Sequence, residues 1–485
     1  MVSYAAVNEV SVSTGQSRSA YSALLKAVYG PKWDSWIHTE AKIADKIAKK
    51  KGMMGGQLKV SALSLSLPQS AGISSGEGYY LPEPDTGTHV NPRIVARDFY
   101  TRLRWTGQSQ RAARAGNQAA WSKPKQSDVE DARQQSMLNF ARKLYNGYYD
   151  VLGRINTNQT VDATADTRVL TLDGRDGRRY GATDNELFYH FGAHYVREGM
   201  MVQFASAPSA APRVSNNSNA NMVRIKSVDN SSLTAPTITI EGGVGSTGTT
   251  LTDLGSGAPT VDGDGVVGDI IIPYGSRQDA IAADDTQDTS FFTMNGIGSV
   301  VLDSTHYSTL YGLSKTTYTK LSGINDHVAD AAAVREMTGH EMRLTQLVHR
   351  IRNEGSGGTP DIAVLHDSVL REFLAENEGA RRFAPIQQGE RGYADMTHVM
   401  GSTSVKYMED WLCPPGLVYA LDTTQWGYYS ESDLAPLDEP QVRFIPNYDQ
   451  TEMVWHKSGN IECRKPHNNG ILDDLDFNLE AIPGT

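Results

Sequence analysis

Apolar residues in the segment SDVEDARQQSMLNFARKLYNGYYDVLGRI, residues 127–155, recur at helical spacing. Met137, Phe140, Leu144, Tyr148, Val151 and Ile155 follow one another at steps of 3, 4, 4, 3 and 4, which places them on one face of a helix. Ser127 and Glu130 have the spacing of a capping box, and Asp128, Glu130 and Asp131 put negative charge on the positive end of the helix dipole. The pattern predicts one helix over 127–155, a rod of roughly 43 Å at about 1.5 Å per residue. A rod with a single apolar face needs a broad surface to lie on.

Before this helix the period changes. Residues 18–51 read as two short helices that end at Lys49-Lys50-Lys51-Gly52, and 52–92 are punctuated by Gly, Ser and Pro without a period. RIVARDFYTRLRWTG, residues 93–107, alternates apolar and basic positions as a strand does, with Gln108 to Trp121 expected as its partner in a long hairpin. After the helix, Thr183 and Glu186 suggest a second capping box, opening a helix that Gly199 closes. The runs MMVQF, MVRIKSV, TITIE and DIIIP then predict short strands. Between Asn216 and Ile272 lie nine glycines, six acids and two bases, so a small β domain with acidic loops is expected as an insertion. From Ser290 the pattern is α+β: a helix over 331–352, a buried strand Ile362–Leu365, a helix over 368–377, and strands near 403–407, 417–421, 442–445, 453–456 and 461–464.

At 485 residues the chain is long enough for several domains, and an apolar content of 39 % is low without reaching that of a disordered chain. No run is long and apolar enough for a membrane span, and the first 30 residues lack a signal core. Two cysteines, Cys413 and Cys463, make no disulfide or metal framework. A net charge of -11 opposes affinity-driven DNA binding, although the charge is uneven. Residues 1–60 hold nine Lys/Arg against four acids, and Arg93, Arg97, Arg102, Arg104, Arg111 and Arg114 face only Asp98 among nearby acids. An arginine ribbon of this kind suits charge pairing with a neighbouring subunit.

Candidate chemistry is thin. Gly72-Ile73-Ser74-Ser75-Gly76 matches a nucleophile elbow without the strand and helix that such an elbow needs. Gly243 to Gly248 and Gly263 to Gly268 match a dinucleotide fingerprint without opening a helix. His190 and His194 lack a third metal ligand, His340-Glu341 lacks its second histidine, and Asp262-Gly-Asp264 lacks the rest of a calcium loop. No catalytic residue, cofactor or metal site is expected.

The order of elements, with GNQAAWSKPKQSD before the long helix, LFYHFGAHYVREGMMVQF, VRIKSVDNSS, TITIE and GDIIIP in the insertion, and PDIAVLHDSVLREFL and GLVYALDTTQW after it, resembles the major capsid proteins of tailed double-stranded DNA bacteriophages. The resemblance covers nearly the whole chain. It implies an α+β fold with an N-terminal arm (1–77), an E-loop hairpin (78–125), a spine helix (126–160), an inserted β domain (161–275), a peripheral domain (276–358), an axial domain (359–434) and a return to the peripheral domain (435–485). It also implies assembly with itself as pentamers and hexamers of an icosahedral shell, formed in the host cytoplasm and found in the virion. Portal, scaffolding or decoration proteins would be partners, packaged double-stranded DNA would be touched without specificity, and no membrane would be involved. The six arginines would line the subunit interface, so changing Arg102 and Arg104 to Glu is expected to block assembly and spare the fold. Some family members crosslink through an E-loop lysine, a chemistry not carried over to this arginine ribbon, where Lys123 stands only at the exit. A nanocompartment shell of the encapsulin type is the alternative, and a serine hydrolase using Ser74 a remote one.

Overall fold

The structure is a computed structural model that describes residues 42–47, 49–51, 58–60, 63–64, 86–107, 118–147, 149–158, 167–173, 192–205, 223–232, 235–241, 269–274, 293–304, 307–326, 340–355, 357–378, 397–400, 403–436, 443–444 and 449–472. Ser74, both glycine-rich fingerprints, His190, Asp262, Asp264, Arg111, Arg114, Lys123's side chain and Tyr148 lie outside what is described.

One helix, Gln118–Asn146, has the expected 29 residues but begins and ends nine residues early. It runs through Pro124, so Ser127 is interior to it rather than at its start. Its end is set by Gly147, where a Cβ would stand 2.5 Å from the Lys143 carbonyl oxygen and 2.6 Å from the Gly296 nitrogen. Gly296 is held equally tightly, for a Cβ there would stand 2.7 Å from the Gly147 nitrogen. Two bare backbones therefore cross where the long helix meets the short buried helix Ile297–Val301. The chain then reverses through Asp150, which adopts φ 51, a left-handed conformation that aspartate tolerates better than most residues.

The buried face of this helix is also offset from the expected one. Ala132, Leu138, Ala141, Leu144 and Tyr145 are buried, whereas Met137 is 54 % exposed. Phe140 is half-buried, and Val151 and Ile155 are buried after the helix has ended, Ile155 in a strand. Enclosing Leu138, Leu144 and Tyr145 contributes on the order of 6 kcal/mol before chain entropy is subtracted.

A five-stranded sheet lies against the long helix. Its central strand, Gln450–Cys463, joins the two separate strands expected near 453 and 461. Trp426–Pro436 and Arg443–Phe444 pair along one side of it, Arg97–Thr106 pairs along the other, and Lys49–Lys51 adds in parallel to Tyr428–Ser430. The expected hairpin is thus corrected. Arg97–Thr106 pairs with residues 450–459, and residues 118–121, assigned to its partner strand, are helical.

The barrel that follows is closed by six strands, Gly153–Asn158, Thr167–Leu172, Met201–Ala205, Val223–Asp229, Thr237–Glu241 and Ile270–Pro273. Alternate side chains turn inward, including Leu170 and Leu172, Val223 and Ile225, and Ile238 and Ile240, all buried. That is the period of two that a closed sheet demands. The first of these strands lies eight residues before the boundary expected at 161. Residues 192–200 form turns, so the last part of the helix expected to close at Gly199 is not helical.

The third layer is a mixed six-stranded sheet, in the order Ile324–Asp326, Gly470–Leu472, Val418–Leu421, Ile362–Leu365, Thr403–Glu409 and Thr397–Met400. Leu344, Leu347, Val348 and Ile351 of the helix His340–Glu354 share a core with Ala363, Leu365, Val418 and Ala420 of this sheet. The helix Asp367–Glu378 adds Val369 and Phe373.

Candidate assembly face

The strand Arg97–Thr106 carries the described arginines of the ribbon. Its inner side is anchored on its own chain: Trp105 is 1 % exposed and packs with Met453, Leu103, Val129 and Trp455. Phe99 meets Phe140 of the long helix edge-on at 6.1 Å, and Phe140 meets Tyr428 at 5.0 Å. Lys457 Nζ stands 3.6 Å from the Phe140 ring centroid, a cation–π contact that ties the central strand to the helix. Thr101 Oγ1 and Ser136 Oγ share a hydrogen bond of 2.5 Å.

The outer side bears the charges. Arg102 contacts Glu452 through Nη2 at 2.6 Å and Nε at 2.8 Å, and Arg104 Nη2 reaches the same oxygen at 3.4 Å. Glu452 is almost wholly buried, whereas the Arg102 side chain is 55 % exposed and that of Arg104 is 22 % exposed. The carboxylate expected on another copy is therefore supplied, for these two arginines, by the same chain. Asp98 Oδ1 lies 3.0 Å from His456 Nε2, and the exposed Tyr100 packs over the His456 ring. The side chain of Arg93 lies outside what is described, and Arg97 is half-buried. Among the described residues this is an outer strand, with one flank engaged and one available.

A buried junction sets how the short helix Lys42–Lys46, the long helix and the mixed sheet meet. Asp410, fully buried, accepts hydrogen bonds from Tyr145 Oη at 2.8 Å, from the Ile43 amide at 3.3 Å and from the Leu412 amide at 3.0 Å. It thereby joins the N-terminal helix Lys42–Lys46, the long helix and the end of a sheet strand. Burial, with the Cys413 and Asp410 charges adding to it, pushes the Tyr145 phenol well above its ordinary value. Cys413 and Cys463 are both buried and free. Burial pushes the Cys463 thiol up to about 12, and it raises Cys413 well above the usual thiol range.

Among the described residues, one serine, one histidine and one aspartate meet at a helix start. Ser368 Oγ and Asp367 Oδ1 each lie 2.8 Å from His366, but both approach the same nitrogen, Nδ1, so no relay of base and orienting acid can form. The Ser368 amide also points at that nitrogen, at 3.2 Å, which is the geometry of a cap on the following helix. Among the described residues no group of three or more His, Cys, Asp or Glu is placed to hold a metal ion, and no helix is long and apolar enough to cross a membrane. His194 instead stacks edge-on against Tyr195 and His366.

No protein-family model and no curated protein matches the chain. Solved structures similar to it come from phages. One chain of the cyanophage A-1(L) capsid asymmetric unit aligns over 95 % of this chain and 100 % of its own length, with 10 % identity and a TM-score of 0.47. A chain from Mycobacterium phage Bobi aligns over 94 % and 98 %, with 8 % identity and a TM-score of 0.38. A chain from the satellite phage P4 procapsid, which includes the size-determination protein Sid, aligns over 89 % and 94 %, with 8 % identity and a TM-score of 0.31.

Proposed function

We propose that this chain is a major capsid protein, a structural subunit that assembles with copies of itself into the shell of a tailed phage. The observation that carries this reading is the order in which one chain supplies its parts. An early segment docks on a distant sheet, a long outer strand leads to a 29-residue helix, a closed barrel interrupts the chain, and a mixed α+β layer follows. That order agrees with the one implied by the sequence resemblance. The outer strand Arg97–Thr106 suits lateral association, because a sheet edge with exposed charged positions can accept a neighbour while resisting indiscriminate pairing. In this reading Arg102, the more exposed of the two, gives the better access to another copy, although both arginines contact Glu452.

The finer form of the proposal has pentamers and hexamers closing an icosahedral shell around packaged double-stranded DNA in the virion, after assembly in the host cytoplasm. Portal and scaffolding or decoration proteins are its partners, and it has no catalytic role. The overall charge of -11 fits a container that holds DNA without clamping it. Mass photometry and electron microscopy of the purified full chain test the reading. Closed shells or capsomers far above 52.9 kDa are expected. A compact monomer under all assembly conditions overturns the proposal. Nuclease-protected DNA inside particles separates a phage shell from a nanocompartment, which would hold protein cargo.

A further inference from the structure

Where the long helix passes the turn at 192–200, a small cleft is lined by Gln135, Asn139, Arg142, Tyr195, Arg197 and Leu412, among others. Its charge is unbalanced. Arg142 is buried to more than nine-tenths, and its one carboxylate partner is Asp150, with Nη2 to Oδ1 at 3.2 Å. Asp150 is shared with Lys143, whose Nζ lies 2.9 Å from the other carboxylate oxygen. The Arg142 Nε–H has no hydrogen-bond partner among the described residues. Arg197 stands on the same cleft with its guanidinium 5.0 Å from the centroid of the Trp411 ring. A guanidinium in a cation–π contact still has N–H groups to offer an in-plane acceptor.

Two cations thus share one carboxylate, and a third, Arg197, lines the same cleft. Burial, and then the Arg142 charge, pull the Arg197 guanidinium below its ordinary value. The buried carboxylate of Asp410 is already engaged by Tyr145 and by two backbone amides. Two guanidiniums crowded together, one of them with an unused buried donor, leave a place for negative charge, and a forked donor set matches a planar or tetrahedral oxyanion.

We propose that this cleft is an oxyanion site in which Arg142 and Arg197 hold a carboxylate or phosphate group, with the Gln135 and Asn139 amides at its rim. The site itself does not depend on the capsid reading; only the choice between the two sources of its anion does. The anion has two possible sources, a free ion from solution or an acidic side chain of a second copy of this chain.

The test uses the full chain in dispersed form, titrated with sodium phosphate and separately with sodium acetate at constant ionic strength, and read by thermal shift and calorimetry. A saturable rise in melting temperature is expected, with affinity weakened at least about tenfold in Arg197→Gln. Arg142→Gln should behave alike if it folds, and Arg102→Gln, on the other sheet, should respond as the unaltered chain does. A response that persists after assembly identifies a free anion, and one lost on assembly identifies a carboxylate of another copy. Absence of a saturable response in the dispersed chain, or an unchanged response in Arg197→Gln, overturns the proposal.

Discussion

Reversing the charge at Arg102 and Arg104 tests how the outer strand is held. Both arginines converge on one buried oxygen of Glu452, and the register sets Arg104 directly across from it. Losing a charge-assisted hydrogen bond from the mostly buried Arg104 costs about 1.5–3 kcal/mol. The Arg102 share is discounted to about 0–1 kcal/mol because more than half of that side chain faces water. Setting new carboxylates against a buried one adds roughly 1–2 kcal/mol of repulsion and desolvation. The double variant Arg102→Glu/Arg104→Glu should therefore lose about 3–6 kcal/mol, a large part of the roughly 5–15 kcal/mol that a domain commonly has. Urea unfolding followed by tryptophan fluorescence is the assay, since Trp105 and Trp455 sit in the adjoining cluster. Arg102→Gln alone should shift the midpoint only slightly. A double variant with the wild-type midpoint would refute the reasoning and leave both arginines free for a neighbouring copy. The expectation of an intact fold that merely fails to assemble is thus replaced by one of a weakened subunit.

Two further outcomes follow from buried contacts. Gly147→Ala forces a Cβ into the Lys143 carbonyl and the Gly296 amide, so the melting temperature should fall by an amount equivalent to about 1–3 kcal/mol, checked by calorimetry. Stability should also decline as pH rises above about 9, because unfolded thiols ionise there while Cys463 in the folded chain resists up to about 12. A folded pKa above the unfolded one stabilises below the unfolded value and loses that contribution as pH climbs through the folded value, and Cys413 and Tyr145 act in the same direction. Denaturant midpoints measured from pH 8 to 11 check the trend, and Cys463→Ala should make it shallower while Cys413 and Tyr145 keep part of it.

Four of the six barrel strands were legible as short runs of strand-forming residues, whereas Gly153–Asn158 lay partly inside the expected helix and no strand was expected at Thr167–Leu172. Ile362–Leu365 was legible as a short apolar run, being buried on both faces. The long helix was legible as an element but misplaced, because apolar periodicity continues past Asn146-Gly147. There the stronger signal is a glycine that allows two backbones to touch. Tyr145 and Asp410 lie 265 residues apart in the chain, and no local pattern announces such a pair. For the same reason the strand character of residues 93–107 could be read while its partner could not. Alternation tells which side chains face inward, not which distant segment supplies the next strand. The Arg142–Arg197 cleft offered no local signal, since Arg142 lies opposite the face that the apolar period marks.

The distance between Arg102 and its partner along the chain bears on how the subunit is made. Glu452 lies 350 positions after Arg102. At about 5–20 residues per second, synthesis needs roughly 18–70 s to deliver the central strand after Arg97–Thr106 has emerged. Local structure forms within microseconds to milliseconds, so the long helix and the barrel can order well before this sheet closes. During that interval both edges of the arginine strand are exposed. Its alternating charges then protect the nascent chain against pairing with its own kind, before they serve the finished fold.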